Sequence, residues 1–303
     1  MKKVIVLGST NVDTILNVQR FPQPGETMAM NSMAVAGGGK GANQAIAAVR
    51  SGAKTTFISK VGHEGAANFM LDTFKEDGMN IDHVTTSETA GTGQAYIMVD
   101  ENGQNSILIY GGANQDITNE DVQAAKGSIK AADRIVAQFE VPIPSVIEAF
   151  KIARENGVQT ILNPAPAIKN IPDDLLSVTD MIVPNETESE IITGIKVTDE
   201  ASMEASAKEF FKMGVKAVII TVGDRGSFYA TSEQSGFVNA FKVNATDTTA
   251  AGDTFIGALS SKLELDYSNL EEAMTYANKA SSLAVQIKGA QNSIPYAKDI
   301  LAG

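Results

Sequence analysis

Residues 3–7, 55–61, 134–139, 160–162, 181–183 and 217–222 are short, almost unbroken apolar runs, the pattern of strands buried on both faces. Between them apolar side chains recur at helical spacing: Ala42, Ala45, Ile46 and Val49; Val146, Phe150 and Ala153; Phe210 and Phe211 within 199–213. Two more helices are predicted near the end. One covers 253–264, with a stripe of Phe255, Leu259 and Leu263; the other covers 268–287, with Leu270, Met274, Ala277 and Ala284. Strands alternating with amphipathic helices predict an α/β fold, a doubly wound, mostly parallel sheet with helices on both faces.

Two stretches break the alternation. In 12–18, Val12, Thr14, Leu16 and Val18 alternate with Asp13, Ile15 and Asn17; in 94–110, two short strands flank the turn cluster Asp100-Glu101-Asn102-Gly103. Together with 27–36 they predict a small antiparallel β sheet projecting from the main one, half-polar and so covering something with one face. The expected division is a core of residues 1–9, 37–91 and 113–303 and a projecting β unit of 10–36 and 92–112.

Composition narrows the function. The chain has 303 residues, 43% hydrophobic and 20% charged, ordinary for a globular protein with a sizeable core. A net charge of −12 argues against nucleic acid or an anionic membrane as main partner. With no cysteine, disulfides, thiolate nucleophiles and zinc–thiolate sites are excluded. The run Val4-Ile5-Val6-Leu7 is too short for a signal peptide, and no later segment is predicted to span a bilayer, so a cytoplasmic enzyme is expected.

The chemistry is expected at two glycine-rich segments, Gly37-Gly38-Gly39-Lys40-Gly41-Ala42-Asn43-Gln44 and Asp247-Thr248-Thr249-Ala250-Ala251-Gly252-Asp253. Each is expected where a strand pattern gives way to a helix, so each should present bare N–H groups at a helix start, a ready anion site. The first segment alone is equally a flexible turn. It meets the loose Gly37-x-Gly39-x-x-Ala42 dinucleotide pattern but does not follow the first strand, and Lys40 is followed by Gly41, so it is no Walker loop. Asp253 alone reads first as a helix-capping acid. Beside the small residues Ala250, Ala251 and Gly252, however, it is placed to take a proton from an alcohol attacking a phosphate. His63 and His83 are expected at the surface or in turns. Asn185-Glu186-Thr187-Glu188 and Thr221-Val222-Gly223-Asp224-Arg225-Gly226 each follow a core strand, the end where ligands bind in such sheets, yet each has an ordinary structural reading too.

Taken in order, these segments resemble the ribokinase-like (PfkB) carbohydrate kinases over essentially the whole chain. The likeness is carried by Asn11-Val12-Asp13, Phe21-Pro22-x-Pro24-Gly25-Glu26-Thr27, the 37–44 run, Asn163-Pro164-Ala165-Pro166, Pro184-Asn185-Glu186-Thr187-Glu188, the 247–253 run and Lys288-Gly289-Ala290-Gln291. The resemblance implies that Asn11, Asp13, Gly39, Lys40, Asn43 and Glu140 bind a sugar. It implies that Asp253 is the base and that Ala250, Ala251 and Gly252 form a backbone anion hole. ATP would lie against Asn185, Thr221, Val222, Gly223, Asp224, Arg225, Gly226, Gly252 and Asn278. Glu188 would serve a hydrated Mg2+ ion, and Asp247, Thr249, Ala284, Ile287, Gly289 and Ser293 a monovalent cation, K+. The resemblance also implies a projecting sheet that closes as a lid, and a homodimer through it.

Residue chemistry favours a neutral polyol. Asp13 and Glu140 suit vicinal hydroxyls and would oppose a sugar phosphate, with Lys40 the one nearby cation. Ribose is therefore favoured over fructose 6-phosphate, with ATP as the phosphoryl donor. A nicotinamide-dependent oxidoreductase would need a first-strand fingerprint that this chain lacks, and a catalytically silent sugar-binding protein would not need Asp253, Asn185 and Glu188 together.

Overall fold

The computed structural model describes residues 1–302. Its strands are β1 (Lys3–Leu7), β2 (Asn11–Asn17), β3 (Ser32–Gly38), β4 (Lys54–Val61), β5 (Asn80–Thr86), β6 (Gly93–Val99), β7 (Asn105–Tyr110), β8 (Arg134–Ala137), β9 (Gln159–Leu162), β10 (Met181–Ile182), β11 (Ala217–Thr221), β12 (Gly226–Thr231) and β13 (Ser235–Asn239). Its helices are α1 (Lys40–Arg50), α2 (Asn68–Glu76), α3 (Asn119–Ala124), α4 (Lys126–Lys130), α5 (Ile143–Glu155), α6 (Asp173–Leu176), α7 (Glu186–Thr193), α8 (Glu200–Lys212), α9 (Ala251–Lys262), α10 (Leu270–Ala284) and α11 (Ala297–Leu301).

The main sheet runs β13-β12-β11-β10-β9-β8-β1-β4-β5. It is parallel from β5 to β11, and β12 and β13 are added antiparallel at one edge. The unbroken apolar runs follow from this. Val4, Val6, Val136, Ile161 and Ile219 point into one helix layer, with Ala45, Ile46, Phe255, Leu259 and Ala277. Their neighbours Ile5, Leu7, Ile135, Leu162 and Ile220 point into the other, with Phe150, Met203 and Phe210. Both faces are covered, so polar residues in these strands are few, and several of those present, such as Thr55, Ser59, Arg134 and Thr160, are themselves buried.

The second sheet runs β3-β2-β6-β7. Its outer pairs are antiparallel as expected, while its central pair, β2 with β6, is parallel. It meets the core where β1 passes into β2 through Gly8, Ser9 and Thr10, and where β3 passes into α1.

Several expectations need adjustment. The strand expected over 134–139 ends at Ala137, and the two late helices run 251–262 and 270–284. The polar-rich edge strands β5 and β13, and the short buried strand β12 beside β13, carry too little apolar pattern to be seen. His83, expected on a surface or in a turn, lies in β5 with its ring Nε2 2.9 Å from Ser128 Oγ. No strand precedes the second glycine segment: residues 240–250 are irregular, so α9 is entered from a loop.

Candidate active site

β1 sits between β8 and β4, so successive crossovers leave it in opposite directions, and the carboxyl ends of these strands open a crevice there. Ser9 follows β1, Glu140 follows β8, Asn163 follows β9, Asn185 follows β10 and Thr221 ends β11. A cleft of about 190 Å³ lies over these ends, lined by Lys40, Asn163, Asn185, Glu188, Thr221 and the start of α9 from Ala250 to Asp253.

The start of α9 is open. Ala250 stands in front of it at φ 58°, left-handed for a residue with a Cβ, and no side chain caps the helix. Among the described residues, the N–H groups of Ala250, Gly252 and Asp253 have no partner. The N–H of Ala251, expected to share the anion hole, donates to Thr248 O at 3.2 Å. Asp253 is 8% exposed, and amides hold both of its oxygens: Asn43 Nδ2 donates to Oδ2 at 3.0 Å and Gln44 Nε2 to Oδ1 at 2.9 Å. The Oδ1 of Asn43 is buried without a partner.

The start of α1 is closed, against expectation. Lys40 N–H donates to Glu140 Oε2 at 3.0 Å, Gly41 N–H to Ser9 Oγ at 3.3 Å and Ala42 N–H to Ser9 O at 2.8 Å. Ser9 Oγ in turn donates to Glu140. These bonds leave no bare amides for an anion. What α1 offers instead is side chains: Gly39 turns the chain at φ 92°, Lys40 lines the cleft and Asn43 reaches Asp253. Asp13, in β2, packs so closely on Gly38 that a Cβ there would lie 2.1 Å from its Oδ2. Asn11 Oδ1 accepts from Asn114 Nδ2 at 2.7 Å.

Charge in the site is lopsided. Burial pushes Asp13 up to about 7, and the carboxylates of Glu140 and Asp253 add to that rise. Burial also raises Glu188, against the Asn185 N–H and Lys40 that favour its charge. Lys40 is raised chiefly by Asp253, against burial and with help from Glu140 and Glu188. One ammonium thus serves three carboxylates.

The phosphate-side loops are well formed. Asn185 and Glu188 make a reciprocal capping box at α7: Asn185 Oδ1 accepts from Glu188 N–H and Glu188 accepts from Asn185 N–H, both at 2.8 Å. Both Glu188 oxygens accept hydrogen bonds from Asn185, so this carboxylate fits a hydrated Mg2+ reached through its waters better than a directly bound ion. Thr221 N–H donates to Pro184 O at 3.0 Å, joining the two loops. Val222, Gly223, Asp224, Arg225 and Gly226 lie outside the 190 Å³ cleft, with Arg225 paired to Glu186 at 2.6 Å. Asn278 spends its amide on Val238 O, Asn239 O and Ser227 Oγ, fastening α10 to β12 and β13.

Of the expected cation residues, Asp247, Thr249 and Gly289 are bonded together. Asp247 Oδ1 accepts from the Thr249 N–H and hydroxyl, and Oδ2 from Gly289 N–H at 2.9 Å. Burial would raise Asp247, but these donors outweigh it and hold its pKa below the usual carboxylate range. Ala284 O accepts from Ile287 N–H at 3.0 Å, and Ser293 Oγ donates to Ala290 O at 2.7 Å.

Sequence reasoning assigned no role to Ser9, Gln44, Asn114, Gln138 or Asn163. Polar residues inside otherwise dry elements were the available signal for Gln44 and Gln138, both fully buried. Asn114 carries none.

An open helix start facing a buried carboxylate, at the mouth of a doubly wound sheet and beneath a second sheet, defines a small-molecule phosphotransferase. The chain belongs to the pfkB family of carbohydrate kinases, which it matches over residues 1–297. It is 54% identical over 299 residues to the ribokinase of Staphylococcus aureus, covering 98% of both chains. It is 60% identical over 302 residues to the bifunctional ribokinase/ribose-5-phosphate isomerase A of Fructilactobacillus sanfranciscensis, spanning 56% of that longer protein. The ribokinase of Arabidopsis thaliana solved with ribose and ATP superposes with a TM-score of 0.91 at 30% identity, covering 99% of this chain and 98% of that one.

Proposed function

We propose that this protein transfers the γ-phosphoryl group of ATP to the 5-hydroxyl of D-ribose, giving D-ribose 5-phosphate and ADP. The observation that carries this reading is the Asp253 carboxylate held by two amides beside the unpaired N–H groups of Ala250, Gly252 and Asp253 itself. Asp253 takes the hydroxyl proton as the sugar oxygen bonds to the γ-phosphorus and the bond from phosphorus to the β,γ-bridging oxygen breaks. The α9 start holds the migrating charge. Bound Mg2+, next to Glu188 and Asn185, would supply countercharge for the phosphates. K+ in the Asp247–Gly289 turn would fix the loop that leads into α9.

The specificity argument is electrostatic. Asp13 and Glu140 accept from neutral hydroxyls, and Asn11 and Asn43 both donate and accept. A sugar phosphate would bring a dianion to two acids with only Lys40 to offset it. The full-length S. aureus relative carries the ribokinase name, in agreement. The strands of residues 10–36 and 92–112 act as a lid over the sugar, excluding water. That lid exposes Met33, Val35, Leu108 and Ile109, at 61%, 55%, 63% and 63%, on β3 and β7, its two edge strands. An apolar edge of this kind calls for a cover, which a second copy of the lid supplies in a homodimer; a solution mass of one chain would remove that part. Among the described residues no helix is long and apolar enough to cross a membrane. An ATP-dependent reaction agrees with work in the cytoplasm.

The test is a coupled ADP-release assay with ribose, deoxyribose, fructose 6-phosphate and adenosine, with and without K+. Ribose is expected to be preferred, and Asp253→Asn to lower its turnover by about 10²- to 10⁴-fold. Turnover within a few-fold of the parent would remove Asp253 from the chemistry, and preference for another acceptor would overturn the substrate.

A further inference from the structure

A catalytic carboxylate needs one lone pair aimed at its substrate, so the groups that fix its rotation matter as much as its charge. Asp253 sits on the first turn of α9, and its Oδ1 is held by Gln44 of α1, 209 residues away in sequence. The amide of Gln44 is fully committed. Its Nε2 donates to Asp253 Oδ1 at 2.9 Å and to Asn163 Oδ1 at 3.1 Å, while its Oε1 accepts from Gln138 Nε2 at 2.6 Å.

The direction of every bond in this relay is determined. Val183 O can only accept, and Asn163 Nδ2 donates to it at 3.0 Å. That fixes Asn163 Oδ1 as an acceptor facing Gln44, so Nε2 of Gln44 is the atom turned toward Asn163 and Asp253. A reversed Gln44 amide would aim its oxygen at two acceptors at once, and its nitrogen at the Nε2 of Gln138. Gln138 is oriented by the bond its Nε2 donates to Gln44 Oε1, while its own Oε1 is buried without a partner against the bare Cα of Gly8. Gln44 and Gln138 are fully buried, and Asn163 is 6% exposed. The three bonds at the Gln44 amide hold one orientation more firmly than any single bond among them.

We infer that Gln44 is the positioning residue of the phosphoryl-transfer base, presenting the Asp253 carboxylate in one rotation through a relay anchored on Gln138 and Asn163. Asn43 grips the other oxygen but also offers a buried unpaired acceptor to the site, so it has a sugar-facing task that Gln44 lacks. The relay also ties together the ends of β8, β9 and β10 and the starts of α1 and α9. A shift in any one of them therefore reaches the base.

The inference rests on the proposed reaction, and its test separates the two. Gln44→Met keeps the volume and removes the donor; kcat is expected to fall about 10- to 100-fold while the KM values for ribose and ATP stay within about threefold. Gln44→Glu keeps the shape. At neutral pH its carboxylate opposes Asp253, whereas the protonated form can again donate, so the activity of this variant relative to the parent is expected to rise as pH is lowered. Gln138→Met should show the same kcat-only loss, smaller, and the double variant should be no worse than Gln44→Met. If Gln44→Met does not fold, Gln138→Met decides. The inference is overturned by unchanged kcat in the variant that folds, by a KM effect for ribose with kcat kept, or by losses that multiply in the double variant. A parent chain inactive on ribose would instead overturn the reaction, leaving the relay without a task.

Discussion

The starts of α1 and α9 are alike in sequence, glycine-rich, small and followed by an apolar stripe, yet the folded protein uses them in opposite ways. At α1 the first three amides are consumed by Glu140 and Ser9, so the backbone is silent and the side chains of Lys40 and Asn43 do the recognising. At α9 no side chain caps the helix and the backbone itself faces the cleft. One start carries surplus acceptors for a neutral sugar, the other surplus donors for a migrating anion. The reacting hydroxyl belongs between them, which is where Asp253 lies. Capping boxes close α3, α7 and α8, while α2, α4, α5, α6 and α10 start without a side-chain cap. What sets α9 apart is therefore the buried Asp253 carboxylate beside its unpaired amides, not the missing cap alone.

The sharpest way to break the contrast is to close α9 as α1 is closed. Ala250→Asp places a carboxylate at the open amides, and Asp is among the residues that tolerate the left-handed conformation found there. Turnover is expected to fall about 10²- to 10³-fold, the size of effect seen when a preorganised anion hole is lost, while the melting temperature is held or raised. A variant that loses stability and activity together would mean that the open start is not what the mutation removed.

How far these features were legible in the sequence follows from the same physics. The core strands were visible because a parallel sheet buried on both faces leaves few polar positions and, in Val4-Ile5-Val6-Leu7, none. Strand β5, Asn80-Ile81-Asp82-His83-Val84-Thr85-Thr86, was not, because an edge strand with a wet face loses that signature. Asp253 and the small residues before it were legible as a motif. The closure of α1 was not, since the carboxylate that closes it, Glu140, comes from the far side of β1, 100 residues on. Gln44 stood in the quoted motif without a task, because a hydrogen bond to a residue 209 positions away leaves no local trace. The cost of Ala250 was hidden as well. Alanine is unremarkable in a list of letters, but at φ 58° it strains the backbone by about 1 kcal/mol.

A gentler change sharpens the sugar side. Asp13 is pushed up to about 7 by burial and by Glu140 and Asp253. Against an unfolded value near 3.8, the folded chain holds an extra proton between the two, so this group takes stability away as pH rises. Its penalty is absent below about pH 4, grows through the interval and is complete above about pH 7. Asp13→Asn should therefore raise the stability of the free protein by roughly 1–4 kcal/mol at pH 8, and change it little at pH 4. Function moves the opposite way. A hydroxyl donates best to the ionised acid, so the parent's KM for ribose should fall as pH rises through about 7, and Asp13→Asn should raise that KM about tenfold and flatten its pH dependence. The KM for ATP should hardly move, because the amides of α9 and the Asn185–Glu188 cap lie on the other side of Asp253. Stability measured by denaturant at the two pH values, beside KM for both substrates, checks each half. If the variant were less stable at pH 8, Asp13 would be a structural acid, and the contrast between an acceptor-rich and a donor-rich helix start would lose its sugar side.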